Sequence, residues 1–167
     1  MSASIDMETF EPTVAALARA LRARGWRLAT AESCTGGLVA AACTAVAGSS
    51  EWFERGVVSY SNAAKVELLG VAPQTLQAHG AVSAEVAREL ACGALERSQV
   101  DIAASVTGIA GPGGAVPGKP VGTVWIAVAL RGGDVRTRLL QLSGDRASIR
   151  AQSVAEVLAM LVTAANG

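Results

Sequence analysis

Trp26-Arg27-Leu28-Ala29-Thr30-Ala31, then Glu32-Ser33-Cys34-Thr35-Gly36-Gly37, then the alanine-rich run Leu38-Val39-Ala40-Ala41-Ala42-Cys43 decide the fold. Trp26 to Ala31 reads as a short buried strand, and the run from about Gly37 to Val46 reads as a helix. The residues between them are a tight loop ending at a helix N-terminus. Such a loop presents several unpaired backbone N–H groups at one point, where the helix dipole is also positive. A place of this kind binds anions or stabilises an oxyanion.

Outward from this unit the pattern repeats. Upstream, Val14, Leu17, Ala18 and Leu21 recur at helical spacing, which predicts a helix from about Glu11 to Arg24 stopped by Gly25, with residues 1 to 10 a flexible lead. Downstream, Val57, Val58 and Tyr60 predict a strand over Gly56 to Ser61, followed by a short helix carrying Lys65 and another turn of helix opened by Pro73. Ser83 is a candidate N-cap for a helix from Ala84 to Arg97, and Asp101 to Val106 reads as a third strand. Residues 107 to 120 hold five Gly and three Pro and read as a long loop. Val121 to Leu130 and Val135 to Leu142 are strands joined at Arg131-Gly132-Gly133-Asp134, and the last helix runs from about Arg146 to Ala164. Alternating helices and strands predict a three-layer α/β/α fold on a mostly parallel mixed sheet of about five strands, one of them antiparallel.

The 167 residues fit one domain with one core, here residues 11 to 165. Half the residues are apolar but only 4% are aromatic, so the core is built from Ala, Val, Leu and Ile. Basic and acidic residues number 14 each, which leaves no bulk field to attract nucleic acid or an anionic membrane. The first ten residues lack the basic start and apolar run of a secretory signal, and the apolar stretches read as too short or too interrupted to cross a bilayer. The expected setting is the cytoplasm. Cys34, Cys43 and Cys92 form neither a CxxC pair nor a zinc pattern and are expected as reduced thiols.

Ser33 lies just ahead of the glycine amides, so its hydroxyl could attack a carbonyl whose oxygen rests on the N–H groups of Thr35, Gly36 or Gly37. The plainer alternative is that Ser33 or Thr35 only caps the helix. A serine nucleophile needs a base. His79 is the one histidine, but nothing near it resembles a nucleophile elbow. Lys65 follows Tyr60-Ser61-Asn62 at the exit of the second strand, an end of the sheet where α/β sites gather. A lysine base must be neutral, which requires its pKa to fall from about 10.4 toward 7 at a cost of about 4 to 5 kcal/mol. A solvated lysine is the alternative. Arg146 or Arg150 could supply a depressing charge, hold a phosphate, or form surface ion pairs. Cys34 is a rival nucleophile, since a thiol at a helix N-terminus can ionise easily. The loop from Thr107 to Gly114 matches neither GxxxxGK[ST] nor GxGxxG, so it reads as a phosphate cradle or a lid, with a plain mobile hairpin as the alternative.

Five ordered motifs carry a family resemblance. They are Ala31-Glu32-Ser33-Cys34-Thr35-Gly36-Gly37, Ser59-Tyr60-Ser61-Asn62-Ala63-Ala64-Lys65, Gly80-Ala81-Val82-Ser83, Thr107-Gly108-Ile109-Ala110-Gly111-Pro112, and Gly144-Asp145-Arg146-Ala147-Ser148-Ile149-Arg150. Together they closely resemble the C-terminal domain of the competence and damage-inducible protein CinA, a family that includes nicotinamide mononucleotide deamidases. The resemblance implies a metal-free and cofactor-free serine amidohydrolase that converts nicotinamide mononucleotide and water to nicotinic acid mononucleotide and ammonia, in pyridine nucleotide recycling. It implies Ser33 as nucleophile, Lys65 as base, and Tyr60 as a neighbouring catalytic group. Substrate contacts are implied for Thr35, Gly36, Gly37, Asn62, Thr107, Gly108, Gly111, Arg146 and Arg150. The partner is a small-molecule nucleotide, and a homodimer is expected. Larger family members carry a further N-terminal domain, and this chain looks like the stand-alone form. A nucleotide-binding or competence-related regulatory module without turnover is the alternative function. The segment Ala115 to Pro120 receives no assigned substrate contact.

Overall fold

The computed structural model describes residues 4 to 167. The first three positions of the expected lead lie outside the described residues. Within the rest of that lead there is one short element. Met7–Phe10 forms a 3-10 turn capped by the Asp6 carboxylate, which accepts the Glu8 amide at 3.0 Å. Phe10 is buried in the core, and that burial holds the turn against the domain.

Helix α1 (Glu11–Arg24) ends at Gly25, whose φ of 64° is the left-handed conformation that terminates helices. Strand β1 (Leu28–Glu32) is buried along its whole length and leads to helix α2 (Leu38–Thr44). Strand β2 (Phe53–Val58) starts and ends three residues earlier than the sequence suggests. It is the edge strand, its Glu54 and Arg55 weaken the apolar signal, and Tyr60 and Ser61 have already left the ladder to begin the next helix. Helices α3 (Asn62–Leu69), α4 (Pro73–His79) and α5 (Ala84–Glu96) follow, then strand β3 (Ile102–Gly108). Thr107 and Gly108, read from composition as loop, are strand: they pair with Trp125 and Val124 of β4 (Thr123–Leu130). Strand β5 (Val135–Gln141) and helix α6 (Arg146–Asn166) complete the chain.

The sheet order is β2-β1-β3-β4-β5. Strands β1, β2 and β3 are parallel, β4 runs against β3, and β5 runs against β4, so β4 alone is reversed. Side chains alternate between two faces, as pleating requires. On one face Leu28, Ile102, Val106, Val124, Ile126 and Val128 pack under α1, α2 and α6. On the other, Ala29, Ala31, Ala103, Ala127 and Ala129 pack under α5. The small residues on this second face let α5 lie close to the sheet, and the larger apolar core sits on the first. This is the three-layer arrangement the sequence predicts.

Helix α6 is 21 residues long and contains a window of mean hydropathy 1.2, long and apolar enough by length and composition to cross a membrane, which corrects the reading that no stretch is. Ile149, Val154, Val157, Leu158 and Leu161 on this helix are buried in the main core, the usual reason for such a composition in a packed domain.

The connection from β1 to β2 passes through α2 on one face, and the connection from β2 to β3 passes through α3, α4 and α5 on the other. With β1 between β2 and β3, the carboxyl ends of β1 and β3 lie at a topological switch point, where open α/β sheets place their ligands. Ser33 follows one of these ends and Thr107 belongs to the other.

Candidate active site

The turn after β1 is built by hydrogen bonds from three directions. The Ser33 amide donates to Val106 O at 3.0 Å, continuing the β1–β3 ladder by one residue. The Gly36 amide donates back to Ser33 O at 3.0 Å, closing the turn, and φ values of 57° at Gly36 and 102° at Gly37 explain the two glycines. Helix α2 has no side-chain cap of its own at Gly37. The buried carboxylate of Glu32 does that work from β1, accepting the Thr35 hydroxyl at 2.6 Å and the amides of Val39 and Ala40 at 2.8 and 3.0 Å. From α6, Arg150 donates Nε to Cys34 O at 3.1 Å and a second guanidinium nitrogen to Thr35 O at 3.2 Å.

Lys65 reaches this turn from α3, whose N-cap Ser61 accepts the Ala64 amide. Its side chain is almost wholly buried, at 1% exposure. Nζ lies 3.1 Å from Ser33 Oγ, 2.9 Å from Ser59 O and 3.1 Å from Tyr60 O. Carbonyl oxygens can only accept, so two of the nitrogen's hydrogens are committed to them. A neutral amine has two hydrogens and one lone pair, and the lone pair then faces the Ser33 hydroxyl. Burial pushes the Lys65 pKa below its ordinary value by disfavouring the cation, with the Cys34 thiol acting weakly the other way.

A cleft of about 250 Å³ opens over Ser33 and Lys65. Of the residues expected at the site, Tyr60, Asn62, Thr107, Gly108, Gly111 and Arg146 line it with them. Arg146 spans its mouth, donating one terminal nitrogen to Gly111 O at 2.8 Å and the other to the Tyr60 hydroxyl at 3.0 Å. Thr107 Oγ1 donates to Ala81 O at 2.9 Å. Ile109 N donates to Thr123 O, so the neighbouring Gly108–Val124 pair is a non-bonded one, and the Gly108 N–H points away from β4 toward the end of β1. A Cβ at Gly108 would meet Val124 at 2.6 Å, which is why the position is glycine.

Thr35, Gly36, Gly37 and Arg150 stand behind the turn and do not line the cleft. The Thr35 hydroxyl is directed to Glu32, the Gly36 amide is occupied by Ser33 O, and Arg150 is occupied by two carbonyls. The Gly36 N–H is therefore not the free donor expected from the sequence. The rival groups fare differently from the pair. Burial pushes the Cys34 thiol up to about 11, against the easy ionisation a thiol nucleophile needs. The His79 ring faces Glu85, with Nδ1 3.7 Å from its carboxylate, and does not line the cleft. Sequence reasoning missed Glu32 as the cap of α2. The local signal was weak, because the cap lies on the preceding strand and reaches residues seven and eight positions on.

Comparisons with known proteins bear on the family and the fold. The model of the CinA C-terminal domain matches residues 11–165. The chain is 56% identical over 134 residues to a protein of Enterobacter agglomerans named nicotinamide-nucleotide amidohydrolase PncC, covering 80% of this chain and 82% of that one. A protein of the same name from Escherichia coli strain K12 is 53% identical over 143 residues, covering 86% and 87%. Among solved structures, the competence/damage inducible protein CihA from Agrobacterium tumefaciens superposes with a TM-score of 0.92 at 42% identity over 100% of both chains. Matched across nearly its whole length in sequence and in fold, this chain belongs to the CinA C-terminal domain family.

Proposed function

We propose that the chain is a nicotinamide-nucleotide amidohydrolase, the activity for which its close relatives are named, and that it works through Ser33 and Lys65. The observation that carries the mechanism is the environment of the lysine: a buried amine whose hydrogens are committed to two carbonyls while its remaining side faces the serine hydroxyl.

In this reading Lys65 takes the Ser33 proton as Oγ bonds to the carboxamide carbon, and the carbonyl oxygen becomes an oxyanion. The Gly108 N–H, directed toward the end of β1, serves as a main-chain donor to it. When the tetrahedral intermediate collapses, the carbon–nitrogen bond breaks, the lysine returns its proton to nitrogen, and ammonia leaves an ester on Ser33. Water then gives a proton to Lys65 as its oxygen attacks the ester, and the lysine returns that proton to Ser33 Oγ as the acid departs. Amide plus water has become acid plus ammonia. Thr35, Gly36, Gly37 and Arg150 hold the turn that presents the serine, Asn62 and Gly111 flank the substrate, and Tyr60 positions Arg146. Arg146 is the cation at the mouth and the candidate partner for the phosphate. The homodimer and cytoplasmic setting expected from the resemblance belong to the same reading, and light scattering on the purified chain checks the first.

Ammonia release is measured with nicotinamide, its riboside and its mononucleotide. The mononucleotide is expected to be the preferred substrate, and Ser33→Ala and Lys65→Ala proteins that remain folded are expected to be inactive. Full activity in either variant rules out the pair. Ligand-induced stabilisation without ammonia release favours a binding module instead.

A further inference from the structure

A site that hydrolyses a carboxamide must hold an NH2 group before the reaction and let go of a carboxylate afterwards. Thr107 is placed to distinguish the two. The β1–β3 register ends at Glu32 beside Val106, so the next residues, Ser33 and Thr107, are neighbours across parallel strands about 4.8 Å apart. The alternation that puts Ala31 and Ala103 on the α5 face puts Ser33 and Thr107 there too. Ser105 shares that face, and its hydroxyl donates to Ala87 O on α5. Lys65 approaches from the same side, and the three side chains line one cleft.

A threonine hydroxyl has one hydrogen and two lone pairs. The Thr107 hydrogen is given to Ala81 O, a group that can only accept. Toward the cleft the oxygen therefore offers lone pairs alone. An amide N–H finds an acceptor there, an ester lacks the hydrogen to offer, and a carboxylate oxygen is repelled. Among the described residues, no Asp or Glu side chain lines the cleft to compete for that N–H.

Resting on the amidohydrolase reading, we infer that Thr107 is the residue that makes the site specific for a carboxamide: it accepts an N–H from the NH2 group that will leave and disfavours the acid that remains. Its donation to Ala81, in the segment between α4 and α5, sets this polarity by occupying the only hydrogen.

The test compares hydrolysis of nicotinamide mononucleotide with hydrolysis of the methyl ester of the same nucleotide, in the full chain. In Thr107→Val the amide-to-ester ratio of kcat/KM is expected to fall about tenfold, the effect of one lost hydrogen bond of ordinary strength. The unpaired Ala81 carbonyl is common to both substrates and cancels in the ratio. Thr107→Ala is expected to behave alike and serves if the valine protein does not fold, while Thr107→Ser keeps the hydroxyl and the wild-type ratio. Equal losses on both substrates, or a serine variant whose ratio falls like that of valine, overturn the inference while leaving the Ser33–Lys65 reading intact. Absence of ammonia release from the unmodified protein is a different result, and sinks that reading together with this one.

Discussion

The Glu32 carboxylate and the Thr35 hydroxyl meet at 2.6 Å beneath the turn that carries Ser33. The same carboxylate takes the first free amides of α2, so one buried group fixes both the serine turn and the helix that leaves it. Acid at a helix N-terminus also meets the positive end of the dipole. Glu32→Ala leaves two buried donors and one part-buried donor without an acceptor, and an unsatisfied buried group costs about 1 to 3 kcal/mol. The expected loss of unfolding free energy is about 3 kcal/mol or more, read from urea denaturation. Glu32→Gln replaces one acceptor oxygen by a donor amide and is expected to lose about 1 to 2 kcal/mol, together with much of the activity. Unchanged stability in the alanine variant would show that the carboxylate does not cap α2.

The lowered pKa of Lys65 has a sign in both rate and stability. As a base the lysine must be neutral, so kcat/KM is expected to rise with pH through the folded-state pKa, with a midpoint below the ordinary value of 10.5. For stability, the folded chain holds fewer protons at this site than the unfolded chain between the two pKa values. Unfolding free energy therefore rises with pH across that window, and the burial penalty is fully felt below the folded pKa. Lys65→Met removes the titrating amine and is expected to be inactive yet more stable than wild type at pH 6. A pH profile of kcat/KM with no basic limb contradicts the assignment.

How much of this was legible depended on whether the signal was local. The buried β1 run and the glycine turn after it announced a strand, loop and helix N-terminus, because each feature lies within a few residues. Edge strand β2 was displaced by three residues, since Glu54 and Arg55 carry the solvent-facing chemistry of an edge and obscure the period. Thr107 and Gly108 were hidden by composition: a glycine-rich stretch reads as loop, yet these two residues are held in the ladder by β4. The union of Ser33 with Lys65, 32 positions apart, came from motif resemblance, and spacing alone did not single out a buried lysine over a solvated one. The capping of α2 by Glu32 and the hydrogen bond from Thr107 to Ala81 depend on tertiary approach, and no periodicity encodes them.

The cysteines give a third prediction. Burial pushes the Cys34 thiol up to about 11 and the Cys43 thiol up to about 12, while Cys92 is only partly buried. Iodoacetamide at pH 8 is expected to label Cys92 first and to spare the other two in the folded protein, as peptide mass spectrometry can read, with ammonia release retained. Thiols with raised folded pKa values add stability that is fully present below their ordinary value of 9.0 and is lost as pH rises through about 11 to 12. Unfolding free energy is therefore expected to fall as pH rises above 9. Inactivation in step with Cys34 labelling would revive the thiol as nucleophile.

Two glycines near the cleft separate a steric need from a compositional accident. A Cβ at Gly108 would lie 2.6 Å from the Val124 side chain and 3.0 Å from its Cα, within a strand pair that cannot easily part. Gly108→Ala is expected to cost about 1 to 3 kcal/mol, the usual range for overpacking. It should also reduce kcat more than KM, because β3 must move and its Gly108 N–H with it, a donor used only when charge develops on the carbonyl oxygen. At Gly113 nothing lies within 4 Å of an added Cβ and φ is not positive, so Gly113→Ala is expected to leave stability within about 0.5 kcal/mol of wild type. Thermal unfolding and steady-state kinetics on the two variants decide the matter. If Gly108→Ala kept full kcat while Gly113→Ala lost it, the oxyanion donor would have to be sought in the 109–114 loop and not at the end of β3.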